Sequence, residues 1–188
     1  MPPTVRAATE ADFAALEAMD LTYSTARFLS LKRTGSPPEL TFSFEWHGGE
    51  PSEAVYQDYT EEFSRRALEG GADLFLVAEV DGRIVGLLMV VLPKWTDAGE
   101  ITDLAVDRRF RRHGAGRALV QAAVAWARER NLRALWVEPR ANFAGAIEFY
   151  LSMGFRLSGF SDRLYSNADD EDGRPTIYMH LELDGGTT

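Results

Sequence analysis

Residues Ile101–Gly116 read ITDLAVDRRFRRHGAG: a strand, a run of arginines, then Gly114-Ala115-Gly116 opening a helix. A helix start leaves several backbone N–H groups without intrahelical acceptors and carries partial positive charge, so it binds phosphate well. Glycines let a bulky anion approach the backbone without interference from Cβ. Arg108, Arg109, Arg111, Arg112 and Arg117 place five of the chain's 20 Lys and Arg residues within ten positions. Guanidinium groups add charge and bidentate geometry toward phosphate. The stretch is built as a pyrophosphate cradle. The glycines alone would fit a basic helix start with a flexible turn; the arginines, concentrated in an acidic chain, favour a ligand.

Two common phosphate patterns are ruled out. No Gly-Lys-Ser/Thr follows the glycines, and Leu119 stands where a dinucleotide fingerprint requires its third glycine.

Outward from this stretch, the chain alternates strands and helices. Upstream, DLFLVAEV and RIVGLLMVVL flank Asp81-Gly82, a strong hairpin signal. Downstream, Ala115, Leu119, Ala122 and Trp126 mark one helix face. A second strand–helix unit follows, ALWVEP and then a helix through Ala146, Ile147 and Tyr150 that stops at Gly154. FRLSGFSDRLY and TIYMHLEL read as closing strands around an acidic loop, Asn167 to Gly173. Near the N-terminus, TVRAA reads as a strand, and Thr9 with Asp12 caps a helix bearing Phe13, Leu16 and Met19. Residues 21–50 suggest extended structure broken at Gly35, Pro37 and Pro38, with Leu40, Phe42, Phe44 and Trp46 alternating. Ser52 is the expected cap of a helix with Val55, Tyr59 and Phe63, ended by Gly70 and Gly71. The order is mixed α/β (α+β), with an antiparallel start and a strand–helix–strand core.

Composition narrows the function classes. The 188 residues fit one domain, with 45% hydrophobic and 26% charged residues. A net charge of -9 argues against nucleic acid or anionic membrane as partner. There is no cysteine, hence no disulfide, thiolate metal site or cysteine nucleophile. His47 and His180 are too scattered to suggest a metal. The start, MPPTVRAATEAD, lacks the apolar stretch of a signal peptide, so a cytoplasmic location is expected.

Residues 111–116, RRHGAG, match the R/Q-x-x-G-x-G/A signature, and the chain resembles the GCN5-related N-acetyltransferases, a superfamily that binds acetyl-CoA. The flanking ITDLAVD and AIEFYLSMGF look like that family's cofactor strand and tyrosine-bearing helix, and the resemblance covers about residues 75–183. It implies a mostly antiparallel central sheet flanked by helices, with a splayed strand pair forming the acetyl-CoA cleft. It further implies a single domain over 1–188, with an acceptor-side region at 21–70 and an acetyl-CoA core at 75–183. Acetyl-CoA is the implied cosubstrate, with no metal. Leu104, Ala105 and Val106 match the strand that pairs with the pantetheine arm. Arg111, Arg112, His113, Gly114, Ala115, Gly116 and Arg117 match the pyrophosphate loop. Tyr150 matches the acid that protonates the departing thiolate, and Glu138 a carboxylate used as general base. Glu100, at the start of the cofactor strand, is an equal candidate base, and relay through water is a third route. Phe143 stands where the family commonly has a cofactor-touching asparagine; Asn142 lies one residue early, so that contact is either shifted or missing.

The first third, with LTYSTARFLSL, and Trp95 look similar to the streptothricin acetyltransferases, which acetylate an amine on an antibiotic's β-lysine moiety. The implied acceptor is a small-molecule amine, with a protein N-terminus or lysine second. A homodimer is compatible with the family. A non-catalytic acetyl-CoA sensor is the competing class, and Tyr150 with a usable carboxylate favours the enzyme.

Overall fold

The computed structural model describes residues 2–55, 59–164 and 175–183. The expected acidic loop, Asn167 to Gly173, lies outside them. By internal contacts the chain forms two compact units, Met1–Tyr23 with Ala54–Val137 and Leu181–Thr188, and Ser24–Glu53 with Glu138–His180.

The first unit is a twisted sheet with helices on it. Its strands are β1 (Thr4–Ala7), β4 (Leu74–Val80), β5 (Arg83–Val91), β6 (Ala98–Val106) and β7 (Ala134–Val137), in the order β1-β4-β5-β6-β7. All neighbours are antiparallel except β6 and β7. The β4–β5 hairpin turns at Asp81-Gly82, both with positive φ (52° and 73°), as the dipeptide predicts. The β6–β7 ladder pairs Ala98–Glu100 with Ala134–Trp136. In that register Leu104–Val106 lie beyond the end of β7, so one edge of that segment continues past its neighbour while the other is bonded to β5.

Strand alternation assigns the two faces. Leu87, Met89 and Ala105 join Phe13, Leu16, Tyr59 and Phe75 in one buried cluster. Here α1 (Phe13–Glu17) follows a 3-10 turn in which the Thr9 amide donates to Asp12 Oδ2 at 2.8 Å, the expected reciprocal cap. On the other face lies α3 (Ala115–Glu129), whose Leu119 comes close to Gly86. The buried residues of α3 are Ala115, Leu119, Ala123 and Ala127, a seam four residues apart, with Val120 beside Leu119. This corrects the expected face: Ala122 and Trp126 sit one position off the seam, and Trp126 is half-buried with the Arg130 guanidinium 4.3 Å over its ring.

A second correction concerns residues 50–66. The expected helix from Ser52 is absent; the chain stays extended to Val55, and α2 (Glu61–Arg66) begins only after Thr60. Thr60 is extended and its hydroxyl accepts from the Phe63 amide at 3.2 Å, satisfying a helix-start donor. Thr60, not Ser52, is the cap. The helix closes in a wider turn, Ala67–Gly71, where Gly70 takes φ 112°.

In the second unit, β2 (Thr22–Ser36) and β3 (Glu39–Val55) form a two-stranded sheet, in line with the extended reading of residues 21–50. The turn holds Gly35 at φ 82° and a cis Pro37-Pro38 bond. Helix α4 (Ala144–Ser152) ends at Gly154, and β8 (Arg156–Ser161) pairs antiparallel with β9 (Thr176–Glu182). Phe42 and Phe44 both meet Phe160 edge-on, with ring centroids 4.8 and 5.5 Å away. Arg27 binds Glu148 at 2.7 Å and lies 4.8 Å over the Trp46 ring.

Candidate active site

The loop between β6 and α3 is built on Asp107. Its carboxylate is 3% exposed, caps the turn Arg108–Phe110 through the Arg109 amide, and takes the Arg109 guanidinium at 3.0 and 2.7 Å. That guanidinium, aided by the Arg109 and Asp20 amides, holds Asp107 down at about 2. The same carboxylate accepts from the Asp20 amide at 3.2 Å, while the Arg108 amide donates to the Asp20 carbonyl at 2.7 Å. The loop is therefore stapled to the segment after α1.

Arg111 points inward. Its Nε donates to the Val106 carbonyl at 2.9 Å and its Nη1 to the Thr22 carbonyl at 2.8 Å. Burial pushes its ionisation below the usual arginine range. His113, exposed, donates from Nδ1 to the Arg111 carbonyl at 2.8 Å. Arg112 takes the left-handed conformation (φ 68°), and Arg112 and Arg117 are exposed. Among the described residues, neither makes an ion pair with a carboxylate. The arginine cluster thus divides: Arg109 and Arg111 build the loop, whereas Arg112 and Arg117 leave their charge at its surface.

Gly114 is the residue before α3, with φ 92°, and a Cβ placed there would meet nothing within 4 Å. The first helical bond runs from the Ala118 amide to the Gly114 carbonyl at 2.9 Å. Among the described residues, no side chain caps the start of α3. The amides of Ala115, Gly116 and Arg117, at the helix start, have no intrahelical acceptor and lie next in sequence to the exposed Arg112 and Arg117 side chains, a donor set that suits a diphosphate. Among the described residues, no group of three His, Asp or Glu could hold a metal.

Two further features on β6 escaped the sequence reading. Thr102 is skipped in the β5–β6 register, which passes from Met89↔Asp103 to Val90↔Ile101, so the strand bulges just before Leu104–Val106. Asp103 is buried and accepts from the Tyr59 hydroxyl at 2.9 Å; desolvation raises its ionisation above the usual carboxylate range. The legible signal was a lone aspartate in ITDLAV, among residues that otherwise pack. Glu100, half-buried, lies between Val91 and Trp136 on the neighbouring strands.

The remaining candidates belong to the second unit. Glu138 is half-buried just past β7. Tyr150 is buried on α4, its ring 5.4 Å from Phe149 and 5.2 Å from Phe155. Phe143 is the residue before α4, and its amide donates to Arg140. Asn142 Oδ1 is buried without a hydrogen-bond partner among the described residues. A buried amide oxygen costs free energy until a donor reaches it.

The chain is similar to known acetyltransferases. The Acetyltransferase (GNAT) family matches residues 40–155. The streptothricin acetyltransferase of Streptomyces lavendulae is 30% identical over 179 residues, covering 94% of this chain and 93% of its own. The crystal structure of nourseothricin acetyltransferase superposes with a TM-score of 0.77 at 28% identity, covering 97% and 99% of the two chains. A Bacillus anthracis protein solved with acetyl coenzyme A shares the fold, with a TM-score of 0.78 at 20% identity, covering 96% and 99%.

Proposed function

Since the chain belongs to the GNAT family of acetyltransferases and is an N-acetyltransferase, we propose that it transfers acetyl from acetyl-CoA to a primary amine of a small cationic molecule of the streptothricin kind. The observation that carries this reading is the uncapped start of α3 beside exposed Arg112 and Arg117. The amides of Ala115–Arg117 grip the diphosphate, Arg112 and Arg117 add charge, and Arg111 holds the loop in shape. The edge of Leu104–Val106 that runs past β7 receives the pantetheine arm as an added strand. Asn142 Oδ1 fits a cofactor donor. The whole chain serves as one acetyltransferase domain, in which residues 21–70 form the acceptor side.

A primary amine has a reference pKa of about 10.4, so about one molecule in a thousand is the free nucleophile at neutral pH. That deficit corresponds to about 4 kcal/mol, which a base or a desolvating acidic site offsets. Glu100 and Glu138 are the candidate bases. With no cysteine in the chain, a thiol acyl-enzyme is excluded, and the amine attacks the thioester directly. The C–S bond breaks, and Tyr150 returns a proton to the thiolate.

Thiol release from acetyl-CoA across streptothricin, polyamines, aminoglycosides and peptides tests the reading. Release with streptothricin or a polyamine supports it. Release with peptides alone replaces it by a protein acceptor, and no release with any amine overturns it. Parallel double-reciprocal lines would overturn direct transfer.

A further inference from the structure

Three carboxylates are buried among the described residues, Asp12, Asp103 and Asp107. Asp12 takes the Arg6 guanidinium at 2.8 and 2.7 Å, and Asp107 takes that of Arg109. Asp103 differs. Among the described residues no Lys, Arg or His pairs with it; its partners are the hydroxyl of Tyr59, at 2.9 Å, and Thr102. A buried charge is costly unless a counter-charge completes it, and neutral donors repay only part of that cost.

The strand register sets the face on which Asp103 lies. Asp103 stands opposite Met89 and Ala105 opposite Leu87, and opposed residues of an antiparallel pair share a face. Asp103 therefore lies on the face of Phe13, Leu16 and Tyr59, away from α3. The next three residues, Leu104–Val106, are the segment that runs past β7, and the Thr102 bulge re-aims the strand between Asp103 and Glu100. Tyr59, 2% exposed, comes from just before α2, inside the region whose sequence resembles the acceptor side.

We propose that the Asp103 carboxylate, held by the Tyr59 hydroxyl, receives the ammonium group of the acceptor and makes the enzyme selective for cationic amines. The proposal rests on the amine-acceptor reading above and supplies its specificity residue.

Calorimetric titration of streptothricin and of spermidine into the full chain, saturated with CoA so that no turnover occurs, tests it. Asp103→Asn is expected to weaken the tighter-binding amine by about tenfold or more, the worth of a hydrogen-bonded charge, while acetyl-CoA affinity stays within about twofold. Tyr59→Phe, which keeps the ring in its cluster, is expected to weaken the same amine about threefold, and it carries the test alone if Asp103→Asn does not fold. Unchanged amine affinity in a folded variant overturns the proposal, as does equal loss of CoA and amine affinity, or a parent that binds neither amine. An Asp103-dependent amine site in a chain that releases no thiol would sink acetyl transfer and leave this proposal standing. Thiol release with unchanged KM in Asp103→Asn would do the reverse.

Discussion

The Arg111 guanidinium donates to the carbonyl oxygen of Val106 at 2.9 Å, closing the turn that separates β6 from the α3 amides. The residue that opens the glycine signature is therefore committed to backbone, with a second bond to Thr22. Arg111→Ala is expected to destabilise the fold by about 2 kcal/mol, since it strips donors from two partly buried carbonyls. Arg112→Ala is expected to leave the melting temperature unchanged and raise the Kd for acetyl-CoA, with the difference shrinking as salt is added. Thermal melts paired with calorimetry separate the two; a Kd effect for Arg112→Ala that ignores salt would contradict a charge role.

Gly114 has room but an unusual backbone. Gly114→Val places a β-branched residue at φ 92°, a strain of about 1–2 kcal/mol. The chain is expected to fold, because a Cβ meets no neighbour, and to lose acetyl-CoA binding, because the side chain fills the space before the amides. Retained affinity by calorimetry would count against the loop as the diphosphate site.

Gly86 is the opposite case. A Cβ there would lie 2.8 Å from the Ala105 carbonyl oxygen and 3.2 Å from Val106 Cγ2. Gly86→Ala should cost about 1–3 kcal/mol in overpacking and displace β6. A denaturant midpoint equal to that of the parent would show that β6 yields without cost.

Tyr150 is packed between Phe149 and Phe155, so Tyr150→Phe retains the ring contacts. Turnover is expected to fall about 100-fold with acetyl-CoA affinity kept, the signature of a lost general acid. Unchanged kcat would assign the proton to another donor.

Asp107 ionises at about 2, below the usual 3.8. A depressed carboxylate stabilises the fold above its unfolded pKa, and that contribution is lost as pH falls through the folded value. Unfolding free energy should therefore drop by about 2 kcal/mol between about pH 4 and pH 2. Asp107→Asn should remove the same amount at neutral pH and flatten that part of the curve. Parallel acid curves for parent and variant would refute the assignment.

The sequence by itself determined the features that are local. Asp81-Gly82 fixed the hairpin because its turn needs positive φ at both residues. Gly114 marked the helix start, and the repeat of strand and helix gave the fold class, because backbone conformation and alternation are written in neighbouring residues. Only the tertiary structure decided which arginines are spent on the protein, since the partners of Arg111 and Arg109 include Thr22, reached across 89 positions, and a buried Asp107. It also moved the cap from Ser52 to Thr60 and the α3 seam to Ala123 and Ala127, as packing chose between registers that the pattern left nearly equal. Asp103 shows the division most plainly. Its letter stands in ITDLAV for anyone to read, but its burial and its bond to Tyr59 come from strands and helices that meet only in the folded chain. Desolvation is a property of the assembled core, and no local stretch encodes it.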